Sequence, residues 1–143
     1  MIRVLPMAAS LALMMGLYLI STLPADPVPP SPPQAPAPWI SWSLLSNLAH
    51  VPAYFLLAWT LFFSVNGAGS ARGAAGISFG IAVAYGVLLE LAQAGVPGRY
   101  ASLGDVGLNS LGAAAGVMLA ARYAARKAWR TDESGGQEDA AQG

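Results

Sequence analysis

The chain has 143 residues, of which 55% are hydrophobic and only 10% are charged, and its formal net charge is zero. Soluble domains usually carry about 25% charged residues, so this composition excludes a typical soluble domain and indicates a membrane protein. A neutral chain gives no indication of nucleic-acid binding. The absence of cysteine excludes disulfides, thiolate metal sites and cysteine nucleophiles.

The first predicted element is an N-terminal transmembrane helix over residues 1–23. Its uncharged stretch Val4–Leu23 has the roughly 20 residues that a helix needs to cross the hydrocarbon core. Arg3 is the only charge before this stretch, and "STLPADP" is a poor cleavage site, so a retained helix is favoured over a cleaved signal peptide. Residues 24–43 hold eight of the eleven prolines and are predicted to form an extended outer loop.

Residues 44–121 form a core of three more apolar stretches, at residues 44–65, 74–96 and 103–121. Each is long enough to span the bilayer, and the ionisable residues among them are His50, Glu90 and Asp105. Because unpaired backbone groups are costly in hydrocarbon, lipid-exposed stretches of this kind have to be helical. The predicted fold is therefore an all-α integral membrane bundle of four transmembrane helices.

The basic residues predict the orientation of this bundle. If the N-terminus is cytoplasmic, the outer side carries only Arg99, and the cytoplasmic side carries six basic residues: Arg3, Arg72, Arg122, Arg126, Lys127 and Arg130. This bias predicts that both termini are inside, in a multi-pass protein of the cytoplasmic (inner) membrane. Residues 122–130 are predicted to be a basic interfacial extension of the fourth helix, and residues 131–143 a disordered acidic cytoplasmic tail.

The polar residues of the last three helices share one depth. At 1.5 Å per residue, His50 and Glu90 each lie about 9 Å below the outer surface, and Asp105 and Asn109 lie about 4 to 10 Å below it. A carboxylate in hydrocarbon costs a few kcal/mol, so such residues face a bundle interior and find partners there. We therefore predict a polar pocket that opens outward between the second, third and fourth helices.

Small residues predict where these helices approach one another. Gly112 and Gly116 are four residues apart, as are Gly76 and Gly80, and this spacing lets helix backbones come close. Gly112 and Gly116 also continue the helix face that carries Asp105 and Asn109. The stripe with the polar groups is thus also a predicted packing stripe.

Three of the polar residues have structural interpretations beside functional ones. His50 either bonds a carbonyl freed by Pro52 or acts as a proton carrier or ligand. Ser102-x-x-Asp105 has the pattern of a capping box that starts the fourth helix, which does not exclude a second role for Asp105. Arg99 could extend to lipid headgroups, but it opposes the charge bias, which favours a counter-ion of a carboxylate or an anion-binding group.

Glu90 is the first candidate for function, with His50 second. Glu90 is far in sequence from any helix N-terminus, where a helix dipole would stabilise its charge, and leucines surround it. If Arg99 compensates one carboxylate, one negative charge remains, which requires a proton, an imidazolium or a bound cation. Our hypothesis is a proton shared between a carboxyl and His50. A single His with two carboxylates is a small ligand set for zinc, so we predict no metal and no cofactor.

The stretch "ELAQAGVPGRYASLGDVGLNSLGAAAG", preceded by "NLAHVPAYFLLAWTLFF", resembles the VanZ-like family of small bacterial membrane proteins, named for an accessory factor in teicoplanin resistance. The family pattern has a His early in one helix, then Glu-x-x-Gln, an Arg, a Ser and Asp, and an Asn followed by spaced glycines. Over Ser46–Gly116 the resemblance assigns this pattern to His50, Glu90, Gln93, Arg99, Ser102, Asp105, Asn109, Gly112 and Gly116. Many members carry Asp-Lys just before the His, where this chain has Ser46-Asn47.

The favoured hypothesis is a non-enzymatic protein of the bacterial cell envelope. Its partners would be membrane lipids and a cell-wall precursor or glycopeptide, and the resemblance implies a contribution to teicoplanin resistance. The alternative is an intramembrane hydrolase or transferase that acts on a lipid-linked substrate with Glu90 as general base, His50 assisting and Arg99 holding a phosphate or carboxylate. A third hypothesis is a structural partner subunit whose polar residues only join helices. The sequence has no Ser-His-Asp order and no Gly-rich phosphate loop, which favours the first hypothesis.

Overall fold

Four α-helices make up the described part of the chain, and no strand occurs there. The computed structural model describes residues 3–24, 42–67, 69–97 and 99–141, with side chains described for 3–24 and, within the other ranges, for 48–130. The helices are α1 (Val4–Thr22), α2 (Trp42–Val65), α3 (Ala71–Gln93) and α4 (Leu103–Ala141). Each contains an apolar segment long enough to cross a bilayer. The all-α class and the four membrane-spanning helices are thus confirmed, whereas the orientation stays a prediction.

Local signals explain where α3 begins and ends. Ser70 is its N-cap, and the Ser70 hydroxyl accepts a hydrogen bond from the Gly73 N–H at 3.1 Å. After Gln93 the chain turns, with the Val96 N–H donating to the Gln93 carbonyl at 2.9 Å. Pro97 follows and cannot continue a helix. The short link of residues 94–102 therefore holds the end of α3 close to the start of α4.

The fourth helix is longer than its predicted span of residues 103–121. It continues without interruption through the basic residues 122–130 to Ala141, so its backbone is helical over most of the segment predicted to be a disordered tail. Residues 122–130 contain mainly alanine, arginine and lysine, which are strong helix formers, and no glycine or proline interrupts them. Residues 25–41, most of the predicted outer loop, lie outside the described residues.

The helices pack most extensively where α2 meets α4. A β-carbon added to Gly112 would overlap the Val51 carbonyl oxygen, and one added to Gly116 would overlap the Phe55 carbonyl oxygen. We call these two approaches the glycine contact. Around it lie the buried residues Leu57, Ala58, Ala113 and Val117. The backbones of α2 and α4 therefore touch along the stripe that the spacing of Gly112 and Gly116 predicts.

Gly76 and Gly80 do not form the helix contact that their spacing predicts within the described part of the chain. No described atom lies within 4 Å of a β-carbon built on Gly76 or Gly80, so these glycines do not pack α3 against another described helix. The buried face of α3 lies two residues away, and it runs through Ala74, Ser78, Ala82, Gly86, Leu89, Glu90 and Gln93. The same four-residue spacing thus gives a helix contact at Gly112 and Gly116 but an exposed helix face at Gly76 and Gly80. The reason is that the rotation of each helix about its axis decides which side is buried.

Helix α1 is attached to the outside of this three-helix core. The Tyr85 hydroxyl of α3 donates to the Met14 carbonyl of α1, and the hydroxyls of Ser10 and Ser64 lie 3.4 Å apart. Most of the apolar surface of α1 is exposed, for example Leu5 at 84% and Leu11 at 58%. Contiguous apolar surface of this kind is unfavourable in water by about 25 cal/mol per Å² and is typical of lipid-facing helices.

Candidate functional site

Polar side chains from three helices meet at one end of the bundle. We call the set formed by His50, Glu90, Ser102, Asp105 and Asn109 the polar cluster. Two features of the fold bring its members together. The glycine contact sets the register of α2 against α4, which brings His50 to Asn109, and the link of residues 94–102 brings Glu90 to Ser102.

His50 pairs with Asn109 across the α2–α4 interface. The Nδ1 atom of His50 lies 2.9 Å from Oδ1 of Asn109, whose side chain is buried. With Oδ1 of Asn109 turned towards the ring, Nδ1 is the donor in this bond, because an amide oxygen can only accept. The bond leads to another helix and not to a backbone carbonyl near Pro52. The bond therefore orients the His50 ring and does not involve its second nitrogen, Nε2.

Glu90 caps the fourth helix from the third. Its side chain is 3% exposed, and its Oε2 accepts the Ser102 backbone N–H at 2.8 Å. The Ser102 hydroxyl in turn accepts the Asp105 N–H at 3.2 Å. In a capping box the acidic residue at the third helical position bonds the N-cap N–H, and here Glu90 takes that place. Glu90 therefore lies beside a helix N-terminus in space, contrary to the prediction, although it is far from any helix N-terminus along the sequence.

Because Glu90 accepts the Ser102 N–H, the Asp105 carboxylate does not make this bond of the capping box. Three buried side-chain atoms of the polar cluster have no hydrogen-bond partner among the described residues: Oε1 of Glu90, Oδ1 of Asp105 and Nδ2 of Asn109. We call them the unpaired atoms. Each buried polar atom left without a partner costs about 1–3 kcal/mol, and more when it is charged. The one further atom of this kind in the described chain, Oγ of Ser78, lies twelve residues before Glu90 on α3.

The two carboxylates and the imidazole lie close to one another. One ligand atom from each of His50, Glu90 and Asp105 lies within 4.8 Å of the other two. His50, Glu90 and Asp105, which are predicted to lie at a similar depth, are thus neighbours in the structure. The shared proton of our sequence hypothesis requires His50 and Glu90 to face the same side of the bundle, and this geometry allows it.

Arg99 and Gln93 lie beside the polar cluster in different ways. The Arg99 guanidinium donates to the carbonyls of Leu23, at 3.2 Å from Nε, and of Ile20, at 3.5 Å from Nη2. These carbonyls end α1, where a positive charge is favourable. The hydrogen bonds of Arg99 therefore go to α1 and not, as the charge count predicts, to a carboxylate. Gln93 is buried on the same face of α3 as Glu90, one turn further along.

Two residues of the site were not predicted. A β-carbon on Gly86 would lie 3.0 Å from Nδ2 of Asn109 and 3.2 Å from Cε1 of Tyr54, so Gly86 makes room for both side chains. Tyr54 is 1% exposed, and its ring stacks near that of His50 with 6.4 Å between the centroids. Helical spacing could have revealed them, because Gly86 precedes Glu90 by four residues and Tyr54 follows His50 by four.

A groove in the described surface lies at a different level of the bundle from the polar cluster. It has a volume of about 460 Å³ and is lined by aliphatic, aromatic and arginine side chains, namely Phe55, Leu56, Trp59, Leu119, Arg122, Tyr123 and Arg126. No residue of the polar cluster lines it. The polar cluster is therefore a candidate site because of its unpaired atoms and not because of the volume of a groove.

The comparison with protein families covers most of this structure. The pattern of the VanZ/LLP1 family matches residues 7–124, which include the polar cluster and the glycine contact. The chain belongs to the VanZ/LLP1 family. The match confirms the resemblance and extends it beyond Ser46–Gly116 to most of α1. With four apolar helices, this VanZ/LLP1 protein is a multi-pass membrane protein. Neither the curated proteins nor the solved structures contain a match to it.

Proposed function

We propose that this VanZ/LLP1 protein is a non-enzymatic cell-envelope protein that binds a lipid or cell-wall-related ligand at the polar cluster. The unpaired atoms carry the proposal. Polar residues that only join helices would satisfy one another, since each buried polar atom without a partner is destabilising. Here three such atoms belong to the polar cluster, and a ligand would supply their partners.

The charges of the polar cluster restrict the ligand. Glu90 and Asp105 bring two carboxylates, while the guanidinium of Arg99 is bonded to the end of α1. A ligand that brings hydrogen-bond donors or positive charge to this place is therefore favoured over a bare anion. The distribution of basic residues supports an outward-facing position of the cluster in the cytoplasmic membrane. Headgroups of the outer leaflet, cell-wall precursors and glycopeptides are found on that side of the membrane. A contribution to teicoplanin tolerance is therefore part of the proposal.

A second candidate function is an intramembrane hydrolase or transferase acting on a lipid-linked substrate. One observation favours it: one ligand atom from each of His50, Glu90 and Asp105 lies within 4.8 Å of the other two, so an imidazole and two carboxylates are close enough to act together in proton transfer. The role of Glu90 as a cap opposes it, because the same carboxylate already holds the start of α4.

A structural partner subunit is a third candidate, supported by the outward face of α3. Gly76 and Gly80 have open space among the described atoms, and small residues at this spacing suit the approach of a helix from another chain. This role would place the interaction on an exposed part of α3 that precedes Glu90 by 10 to 14 residues.

The deciding experiment compares bound molecules in wild type and Glu90→Gln. Gln keeps an oxygen that can accept the Ser102 N–H, but it removes the charge. We expect a lipid or cell-wall-related species to co-purify with the full-length wild type and to be reduced at least tenfold in Glu90→Gln at unchanged protein level, as measured by mass spectrometry. Ser78→Ala is the matched control, since it changes a buried polar atom outside the polar cluster.

Other results would change the assignment. Equal amounts of the same species in wild type and Glu90→Gln would contradict binding at the polar cluster. Turnover of a lipid-linked substrate by the purified wild type would favour the enzyme. In a teicoplanin-tolerant host that depends on this protein, Glu90→Gln should lower tolerance while Ser78→Ala should not.

A further inference from the structure

We propose that the polar cluster binds one divalent metal ion through His50, Glu90 and Asp105. Binding of the ion does not depend on the proposed function, but the role we give the ion does. With the ion bound, the two carboxylates could hold an anionic ligand that they would otherwise repel. The sequence predicts no metal here, because one His and two carboxylates are few ligands. The geometry of the three side chains points to one.

The distances suit a single ion after a small contraction. Ligand atoms of His50, Glu90 and Asp105 lie within 4.8 Å of one another. At zinc–ligand distances of about 2.0–2.2 Å, two ligands of a tetrahedral ion are about 3.3–3.6 Å apart. The three ligand atoms therefore have to approach one another by at most about 1.5 Å to bind one ion.

The hydrogen bonds leave one oxygen of each carboxylate able to bind the ion. The Ser102 N–H occupies Oε2 of Glu90, whereas Oε1 is buried and has no partner in the described chain. The same holds for Oδ1 of Asp105, because Glu90 has replaced Asp105 in the capping box. Glu90 is 3% exposed, so its free oxygen is directed into protein rather than water. A cation between the two oxygens would satisfy both and would neutralise their charges.

Asn109 prepares His50 for the same task. Histidines that bind metals generally donate the other ring N–H to an oxygen acceptor, which fixes the tautomer and the ring orientation. The contact between Nδ1 of His50 and Oδ1 of Asn109, at 2.9 Å, has the geometry of such an arrangement, in which Nε2 would be the atom that binds the ion. Gly86 supports it, because a side chain at that position would press on Asn109.

The ligand types select a class of ion and of bound molecule. An imidazole nitrogen with two carboxylate oxygens suits Zn²⁺ or Mn²⁺ better than Mg²⁺ or Ca²⁺, which prefer sets of oxygen ligands. Three protein ligands leave at least one coordination position open. A phosphate or carboxylate oxygen could occupy it, so the ion would let an acidic cluster hold an anionic headgroup.

Metal binding to the full-length protein in detergent tests this inference. The protein is stripped with EDTA and titrated with ZnCl₂ and with MnCl₂, by calorimetry, and bound metal is counted by elemental analysis. We expect one ion per chain in the wild type. His50→Gln and Asp105→Asn should each lower the affinity at least tenfold, Asn109→Leu should lower it about 10- to 100-fold as a residue that orients a ligand, and Ser78→Ala should leave it unchanged.

Several results would overturn the inference. They are less than a tenth of an ion per chain in the wild type, or binding that His50→Gln and Asp105→Asn leave unchanged. These two variants keep the Glu90–Ser102 bond, and melting of the metal-free proteins shows whether they fold as the wild type does. If either does not, zinc-dependent protection of the wild-type His50 ring from chemical modification replaces it, with no protection as the contrary result.

Lipid analysis of the same samples separates this inference from the proposed function. One bound ion without any co-purified envelope molecule would support the metal site and contradict the proposed function. A co-purified molecule in equal amounts with and without metal, lost in Glu90→Gln, would support the proposed function and contradict the bridging role of the ion.

Discussion

The glycine contact and the polar cluster lie on the same face of α4, yet they are built in opposite ways. At the glycine contact, Gly112 and Gly116 touch the backbone of α2, and the residues around them are apolar and buried. In the polar cluster, Asp105 and Asn109 are also mostly removed from solvent but keep atoms without partners in the described chain. The first region holds the helices together by close packing. The second holds polar groups at a cost in stability.

The largest expected effect separates the two glycine pairs. Gly116→Ala places a methyl group against the Phe55 carbonyl oxygen, and backbone cannot move aside easily. We expect it to lower the free energy of unfolding by about 1–3 kcal/mol or more. Gly76→Ala is the matched control, because its methyl group meets open space among the described atoms. Alanine is the better helix former, so this variant should be neutral or up to about 1 kcal/mol more stable.

Reversible unfolding in detergent measures both variants. Equal stabilities for Gly116→Ala and Gly76→Ala would show that the close approach of α2 and α4 does not exist in solution. A large loss in Gly76→Ala alone would instead indicate that α3 packs through its outward face, as a partner subunit would require.

A smaller effect tests the cap that Glu90 provides. Glu90→Ala removes the acceptor of the Ser102 N–H and should lower the free energy of unfolding by about 1–2 kcal/mol, as other lost N-caps do. Glu90→Gln keeps an acceptor and should lose less than about 0.5 kcal/mol. Both variants should lose the bound ligand. Thermal melts together with bound-molecule analysis therefore distinguish the structural role of Glu90 from its binding role. Identical melts for Glu90→Ala and Glu90→Gln would argue against the cap.

The smallest effect concerns Arg99. Arg99→Gln weakens the bonds to the Leu23 and Ile20 carbonyls at the partly exposed end of α1, and we expect a loss of about 0.3–1 kcal/mol at most. Ligand binding at the polar cluster should remain within twofold of wild type, measured as the amount of co-purified molecule. A tenfold loss of binding would instead support the prediction that Arg99 is a counter-ion of a carboxylate or an anion-binding group.

The sequence by itself determined the membrane class, the four helices and the level at which the polar residues gather. These follow from local properties, because hydropathy and length define a span, and depth follows from position within it. His50, Glu90 and Asp105 could therefore be selected from their positions alone.

Only the tertiary structure decided how these residues are bonded. Glu90 is twelve residues from Ser102, and the turn of the chain between them brings Glu90 to the start of α4, where it caps the helix in place of Asp105. The pairing of His50 with Asn109 depends on the register that the glycine contact sets. The outward position of Gly76 and Gly80 depends on the rotation of α3, which spacing along one helix does not specify. Contacts between helices depend on the relative rotation, register and approach of two bodies, whereas a sequence pattern describes one helix at a time.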